Sequence, residues 1–167
     1  MSEEGLERFR VGIVTVSDTR TLETDESGPL VRDLLGKMGF RSFVHEIVKD
    51  EEEAIVEVLE RLCRECDLVV TTGGTGLSPR DVTPEATLKV VDKRVWGLEE
   101  QLRREGCEET PYAVLSRGVV GCRGKTLVVN LPGSPSGVRR GIAVLGRVLE
   151  HALSQLRGDR GHSHSSR

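Results

Sequence analysis

Residues 71–87, with the sequence TTGGTGLSPRDVTPEAT, hold the groups that could do chemistry. Glycines let consecutive backbone N–H groups point at one anion, so residues 73–76, the glycine loop, are a candidate phosphate-binding segment. The carboxylate of Asp81 follows, and an acid beside an anion-binding loop is explained when a divalent cation lies between them. A surface loop rich in turn residues is the alternative interpretation.

Three further acids are candidates for the same site. Asp50 and Asp18 each follow an apolar, β-branched run, and Asp25 lies farther along the loop that contains Asp18. Asp50 and Asp81 are the favoured pair, because each follows a predicted strand and lies near a predicted helix start. The alternatives are that Asp50 only caps a helix and that Asp81 is a loop acid paired with Arg80. Asp25 is interpreted as a solvated loop charge.

Alternating strands and helices are predicted to position these residues. Short β-branched runs predict strands at residues 11–16, 40–48, 67–72, 113–120 and 125–131. Apolar residues at helical spacing predict helices at residues 29–38, 51–63, 84–92, 95–105 and from 136 or 137 to about 156. Asp50 and Thr83 are predicted N-caps, and residues 121–124 a hairpin turn.

This order of elements predicts the α/β fold class, with a mostly parallel sheet and helices on both faces. Ligands of such folds bind at the carboxyl ends of the strands. Four predicted strand ends carry polar, glycine-rich or proline-rich loops, at residues 17–20, 49–50, 73–76 and 132–137. We therefore expect these loops to form one cleft.

Length and composition limit the other possibilities. With 167 residues, one domain is expected at residues 10–157, between a loose N-terminus at 1–9 and a disordered, histidine-containing tail at 158–167. A net charge of −3 and 3% aromatic residues argue against nucleic-acid binding. The absence of a membrane-spanning run, a charged N-terminus and four cysteines without disulfide-like spacing predict a cytoplasmic protein without membrane contacts.

Other motifs carry weaker signals. The lone pair Cys63 and Cys66 is interpreted as buried or inert rather than as a redox or zinc site. His162 and His164 are interpreted as part of a polar tail. The glycine loop lacks the lysine of a P-loop, and the first strand lacks a dinucleotide fingerprint. The residues alone therefore predict a phosphate-bearing ligand with a divalent cation, and no particular reaction.

Five motifs in order resemble the MogA/MoaB family of molybdenum-cofactor biosynthesis, to which the gephyrin G domain is related. They are VSDTR at 16–20, TDESG at 24–28, TTGGTG at 71–76, RDVTPEAT at 80–87 and NLPGSPSGV at 130–138. The TDESG motif is more similar to the MoaB branch than to the MogA branch. The resemblance covers about residues 10–156, which is nearly the whole chain.

The resemblance implies a three-layer α/β/α sandwich and the adenylylation of molybdopterin by ATP, with Mg²⁺ required and pyrophosphate released. The product then receives molybdate or tungstate, which implies a hand-over to an insertion protein. Family members form homotrimers, and MoaB-type members often form homohexamers. Because MoaB-type members are not all active, a non-catalytic molybdopterin-binding protein is the alternative, and an unrelated nucleotide-binding enzyme is a third interpretation.

The resemblance also implies roles for individual residues. The family's critical acid pair falls on Asp50 and Asp81, the expected catalytic residues and Mg²⁺ ligands. Phosphate binding falls on Gly73, Gly74, Thr75 and Gly76. Ser17, Asp18 and Thr19 are expected nucleotide contacts because they lie at a neighbouring predicted strand end. Pterin binding falls on Ser116, Pro132, Gly133 and Ser134. Positive charge is expected from Arg20, Arg80, Arg117 or Lys125, which the sequence does not rank.

Overall fold

The computed structural model describes residues 5–159, and within them one sheet carries helices on both faces. The strands are β1 Arg10–Val16, β2 Ser42–Val48, β3 Leu68–Thr72, β4 Lys93–Arg94, β5 Val120–Arg123 and β6 Thr126–Leu131. The helices are α1 Ser27–Met38, α2 Glu52–Cys63, α3 Thr83–Val90, α4 Trp96–Gly106, α5 Pro135–Gly146 and α6 Leu149–Arg157. Short 3-10 turns cover Gly5–Arg8 and Pro111–Leu115.

The strand order in the sheet is β2-β1-β3-β6-β5-β4. The first four strands of this order run parallel to one another, whereas β5 pairs antiparallel with both β6 and β4. The predicted α/β sandwich with a mostly parallel sheet and one antiparallel hairpin is thereby confirmed. Because the parallel strands end at one edge of the sheet, the loops that follow them lie along that edge.

Alternate residues of the central strands face opposite helix layers. Val11 and Ile13 of β1 pack with α1, α5 and α6, whereas Val14 and Val16 pack with α2 and α3. The sheet is therefore buried on both faces, which explains the almost continuous apolar runs of its strands. Among the described residues, no helix has the length and apolar character needed to cross a membrane.

Two predicted helix caps are wrong. Glu51 rather than Asp50 precedes α2, and no side chain caps that helix. α3 begins at Thr83 itself, and the Thr83 hydroxyl donates to the carbonyl of Gly73 over 3.0 Å instead of capping the helix. Both residues therefore serve the loops at the carboxyl edge of the sheet rather than the helices that follow them.

The strand predicted over residues 113–120 is mostly absent. A 3-10 turn occupies its first part, and β5 begins only at its last residue. Arg103 donates to the carbonyls of Ser116 at 3.3 Å and Gly118 at 3.1 Å. These backbone acceptors thus bond to a side chain instead of a neighbouring strand, a contact between distant residues that local β-propensity does not report.

Two further predicted boundaries near the end of the chain are corrected. The hairpin turn lies at residues 124–125 rather than 121–124, because residues 121–123 pair with β6. The predicted last helix is broken into α5 and α6 at Val148, whose φ of −130° and ψ of −10° leave the helical region. Val148 follows Gly146 closely, and both residue types have low helix propensity.

The predicted loose N-terminus is wrong for its described part. Gly5–Arg8 form a 3-10 turn, and the Phe9 side chain after it is fully buried. At the other end, Gly158 terminates α6 in the left-handed conformation, and Asp159 pairs with Arg8. Residues 1–4 and residues 160–167, with the predicted tail histidines, lie outside the described residues.

Candidate active site

The four polar loops meet at the carboxyl edge of the sheet, as predicted. The Ser17 N–H donates to the Val48 carbonyl over 2.9 Å, which joins the loop after β1 to the end of β2. The Gly73 N–H donates to the Leu131 carbonyl over 3.0 Å, which joins the glycine loop to the end of β6. A Cβ on Gly133 would lie 3.5 Å from the Gly73 Cα, so the loop after β6 packs against the glycine loop.

Glycine is required at two positions of the glycine loop. Gly73 and Gly74 have φ values of +91° and +70°, a region that other residues rarely adopt. A Cβ on Gly74 would also overlap the Thr83 hydroxyl. The backbone of the glycine loop therefore lies close to Thr83 and carries no side chain at Gly73 and Gly74. An anion-binding loop needs this arrangement.

The two predicted acids flank the glycine loop. A Cβ on Gly74 would lie 3.4 Å from Asp50 Oδ1, and one on Gly76 would lie 2.9 Å from Asp81 Oδ2. Partial burial and, second, the negative charge of Asp81 raise the pKa of the Asp50 carboxyl above its usual value of 3.8. The two carboxylates are thus close enough to repel each other.

The acid pair fits a hard divalent cation that is completed by a ligand. Nowhere in residues 5–159 do three or more His, Cys, Asp or Glu side chains gather as a metal site. Mg²⁺ commonly takes one or two protein carboxylates and fills its other positions with phosphate oxygens and water. Asp50 and Asp81 supply such a partial set, and the raised pKa of Asp50 marks a place where added positive charge is favourable.

Asp18 connects the loop after β1 to both neighbouring loops. Asp18 Oδ1 accepts the backbone N–H of Asp50 over 3.0 Å, and the Asp18 carboxylate forms an ion pair with Arg80. The Arg80 side chain is 71% exposed at the rim of the cleft. The guanidinium group of Arg80 is therefore held near the acid pair and stays exposed to solvent.

A cavity of about 300 Å³ lies on the other side of the glycine loop. Its walls come from the glycine loop, α4, the second 3-10 turn, the loop after β6 and α5, including Thr75, Gly76, Ser116, Pro132 and Ser134. The acid pair does not line this cavity. The glycine loop therefore separates a cavity from a carboxylate pair, which divides the site into two parts.

Comparison with known proteins identifies the family of this chain. The domain family described as "Probable molybdopterin binding domain" matches residues 12–151. The chain belongs to the MogA/MoaB family of molybdenum-cofactor biosynthesis proteins.

Relatives in this family align over most of the chain. It is 36% identical over 160 residues to a molybdopterin adenylyltransferase of Helicobacter pylori, covering 92% of this chain and 91% of that protein. The crystal structure of the molybdopterin biosynthesis enzyme MoaB from Thermus thermophilus matches with a TM-score of 0.82 and 46% identity, covering 90% of this chain and 98% of that one. The molybdenum cofactor synthesis protein cinnamon of Drosophila melanogaster is 38% identical over 159 residues, but this chain spans only 26% of it.

The residues that the MogA/MoaB resemblance assigned to pterin binding lie together but have different surroundings. Ser116, Pro132 and Ser134 line the cavity, whereas Gly133 faces the glycine loop. Ser134 also caps α5, because its hydroxyl accepts the Gly137 N–H over 3.2 Å. On the nucleotide side, the Ser17 hydroxyl accepts two N–H groups of its own loop and shapes that loop.

The structure ranks the four candidate cations of the site. Arg117 uses its side chain on Glu85 and on two loop carbonyls, and Arg20 donates to the Thr24 carbonyl over 3.0 Å. Lys125 lies in the hairpin turn before β6, and therefore at the amino edge of the sheet. Arg80 is paired as well, with Asp18, but its side chain is 71% exposed and it precedes Asp81 directly, so it is the candidate that the structure favours.

The interpretation of Asp25 as a solvated charge is wrong. Its side chain is 1% exposed and lies 3.0 Å from His45 Nε2, and it accepts the Thr15 hydroxyl over 2.6 Å. Asp25 Oδ1 also accepts the Ser27 hydroxyl over 3.2 Å, and that hydroxyl lies 2.7 Å from the Thr72 hydroxyl. A threonine within a buried strand and a histidine in the adjacent one were the available signals, but only the strand pairing brings them together.

The cysteine pair has no features of a redox site. All four cysteines are free, and burial raises the pKa of the Cys63 thiol to about 12 and that of the Cys66 thiol to about 11. A thiol with such a pKa is almost entirely protonated near neutral pH and is a poor nucleophile. The predicted inert role of these residues agrees with this chemistry.

Proposed function

We propose that this protein is a molybdopterin adenylyltransferase, which transfers AMP from ATP to molybdopterin and releases pyrophosphate. The observation that carries the proposal is the division of the site by the glycine loop, with a cavity on one side and the acid pair on the other. A reaction between two phosphate-bearing substrates needs such a division, with the phosphates meeting at the loop. The enzyme name of the Helicobacter pylori relative supports the same reaction.

The pterin is proposed to bind in the cavity. Ser116 and Ser134 offer hydroxyl groups at its wall, and Leu102 and Leu115 offer apolar contacts. A cavity with mostly apolar walls and a few polar groups is typical of sites for ring-shaped ligands. The terminal phosphate of the bound pterin would reach the backbone N–H groups of the glycine loop.

The triphosphate of ATP is proposed to bind on the acid side of the loop. Asp50 and Asp81 would hold Mg²⁺ there, and bound Mg²⁺ offsets the negative charge that develops on the pyrophosphate leaving group. Arg80 would leave Asp18 and contact the phosphates, as its exposure permits. Ser17 and Asp18 shape the adjacent loop, which would lie along the nucleotide.

The chemistry itself makes small demands on the protein. An oxygen of the pterin phosphate forms a bond to the α-phosphorus of ATP, and the bond from that phosphorus to pyrophosphate breaks. The nucleophile is already an anion, so no general base is needed, and catalysis consists of alignment and charge compensation. The glycine loop would supply the alignment, because its backbone is fixed by the bond from the Gly73 N–H to Leu131 and by the bond from the Thr83 hydroxyl to the Gly73 carbonyl.

An adenylylation assay tests the proposal. Wild-type protein, Asp81→Ala and the surface control Asp33→Ala are incubated with molybdopterin, ATP and Mg²⁺, and adenylylated pterin and pyrophosphate are measured. We expect product with the wild type and the control, and a loss of at least about 100-fold with Asp81→Ala. Pterin binding without ATP consumption by the wild type would overturn the proposal in favour of a non-catalytic molybdopterin-binding protein.

We further propose that the protein works in the cytoplasm as a homotrimer or homohexamer and hands its product to a metal-insertion protein. Exposed apolar side chains near the cavity mouth support association, since Tyr112 is 75% exposed, Val114 63% and Leu115 47%. The free cysteines agree with a reducing compartment. Light scattering distinguishes the two assemblies, and a monomer would contradict both.

A further inference from the structure

We propose that Arg117 is a positioning residue that holds the segment from Gly76 to Asp81 in its working shape from behind, without touching either substrate. The proposal rests on the proposed function of the acid pair, and it concerns a residue that the sequence placed only among four unranked cations. It follows from the way in which one guanidinium group spans the segment.

The guanidinium group of Arg117 contacts both ends of this segment. Its Nε donates to the carbonyl of Gly76 over 2.9 Å, and its Nη2 donates to the carbonyl of Asp81 over 2.8 Å. Glu85 at the start of α3 accepts from Nη1 over 2.5 Å and fixes the plane of the group. A planar fork with donors at fixed angles can make these three contacts at once, whereas a lysine cannot.

We call the three side-chain contacts of Arg117 the clamp. The backbone of the same residue connects the clamp to the cavity wall. The Arg117 N–H donates to the Thr75 carbonyl over 2.9 Å, and the preceding residue, Ser116, lines the cavity. A single residue thus joins the cavity wall, the glycine loop and the segment that carries Asp81. Its side chain is about one-third exposed, and each of its three nitrogens already donates to a protein acceptor, so it is poorly placed to bind phosphate.

Apart from Arg117, the segment has few fixed contacts. The ion pair between Arg80 and Asp18 reaches the loop after β1, but the Arg80 side chain is 71% exposed, and an exposed ion pair contributes little. The side chains of residues 77–80 are exposed, and the hydrogen bonds within the segment are local ones between Ser78 and Asp81 and between Arg80 and Ser78. Local bonds of this kind shape a turn but do not fix its position on the protein. Misplacement of a reacting group by about 1 Å can lower a rate about 100-fold, so the clamp matters for turnover more than for stability.

Two variants separate the clamp from the ion pair. Arg117→Lys keeps a positive charge beside Glu85 but cannot reach both carbonyls, whereas Glu85→Gln removes the ion pair and leaves both carbonyl contacts possible. Arg139→Lys, at an exposed position of α5, is the matched control. Amide hydrogen exchange of residues 77–82 is measured on the full chain without substrates, and kcat and KM are measured in the adenylylation assay.

We expect Arg117→Lys to accelerate exchange at residues 77–82 and to lower kcat by about 10- to 100-fold, with pterin affinity unchanged. The kcat of Glu85→Gln should stay within about fivefold of the wild-type value, and Arg139→Lys should match the wild type. Unchanged exchange in Arg117→Lys would overturn the proposal, whether or not the protein is an enzyme. A raised KM for ATP in Arg117→Lys with an unchanged kcat would also overturn it, because that result marks a direct phosphate ligand. Faster exchange in a protein whose wild type makes no product would support the clamp and refute the adenylylation instead.

Discussion

The backbone N–H of Asp50 donates to Asp18 Oδ1 over 3.0 Å, so the residue after β2 is fixed by a carboxylate from the loop after β1. The same Asp18 carboxylate pairs with Arg80 from the loop after β3. Three strand ends are therefore connected through one side chain. This connection keeps Asp50 and Arg80 on the same side of the glycine loop before any ligand binds.

Replacing Asp18 should weaken the site without unfolding the protein. Asp18→Ala removes both connections, and we expect kcat/KM for ATP to fall about tenfold, the cost of one hydrogen bond that positions a reacting group. Asp18→Asn keeps an oxygen for the Asp50 N–H and should lose less. Steady-state kinetics with thermal unfolding measure the two effects, and equal losses in both variants would contradict the role of the Asp50 contact.

Asp50 should cost the protein stability near neutral pH. Its raised pKa means that the folded protein binds the carboxyl proton more tightly than the unfolded chain does. The stabilisation of the folded state by this proton is therefore complete below the usual pKa of 3.8, and it is lost as the pH rises through the pKa of the folded protein. Asp50→Asn should therefore be more stable than wild type at pH 7, by up to about 1 kcal/mol after solvent screening, and nearly equal to it at low pH. Unfolding series across pH, with Asp33→Asn as the control, measure this difference. A less stable Asp50→Asn at pH 7 would refute the prediction.

The glycine loop should not tolerate a methyl group at Gly74. Gly74→Ala places a Cβ against the Thr83 hydroxyl at a φ of +70°, so the left-handed strain and the lost Thr83 bond should together cost about 2–4 kcal/mol. Gly36→Ala is the control, because Gly36 lies in α1 with open space around it, and it should gain about 0.5–1 kcal/mol. Urea unfolding measures both changes. Similar values for the two variants would show that the loop relaxes easily.

The general position of the site could be predicted from the sequence, because it depends on local patterns. Buried β-branched runs alternating with amphipathic helices specify a parallel sheet, and parallel strands bring their following loops to one edge. Gly73, Gly74, Asp50 and Asp81 were thus expected to meet before any distance was known, and the structure brings them together. The pairing of two acids across the glycine loop needed no contact between distant residues other than the sheet itself.

The contacts that stabilise these loops could not be predicted in the same way. Arg117 reaches Gly76 and Asp81 from a segment whose apolar sequence predicted a strand, and Arg103 prevents that strand by bonding to its carbonyls. Such contacts depend on the relative placement of elements that lie 13 to 41 residues apart in sequence. Propensity and spacing describe short windows and carry no information about them.

Asp25 should be among the most important polar residues for stability. Its buried carboxylate is surrounded by the Thr15 hydroxyl, His45 and Ser27, so Asp25→Ala leaves several buried polar groups without their acceptor. We expect a loss of about 3 kcal/mol, whereas Glu23→Ala, at an exposed position of the same loop, should change stability by less than about 0.5 kcal/mol. Denaturant unfolding of both variants measures the contrast. The same loop carries Asp18, so the loss of the Asp25 contacts should also lower turnover in Asp25→Ala at temperatures where the protein is still folded. A folded Asp25→Ala with full turnover would show that these contacts only stabilise the chain.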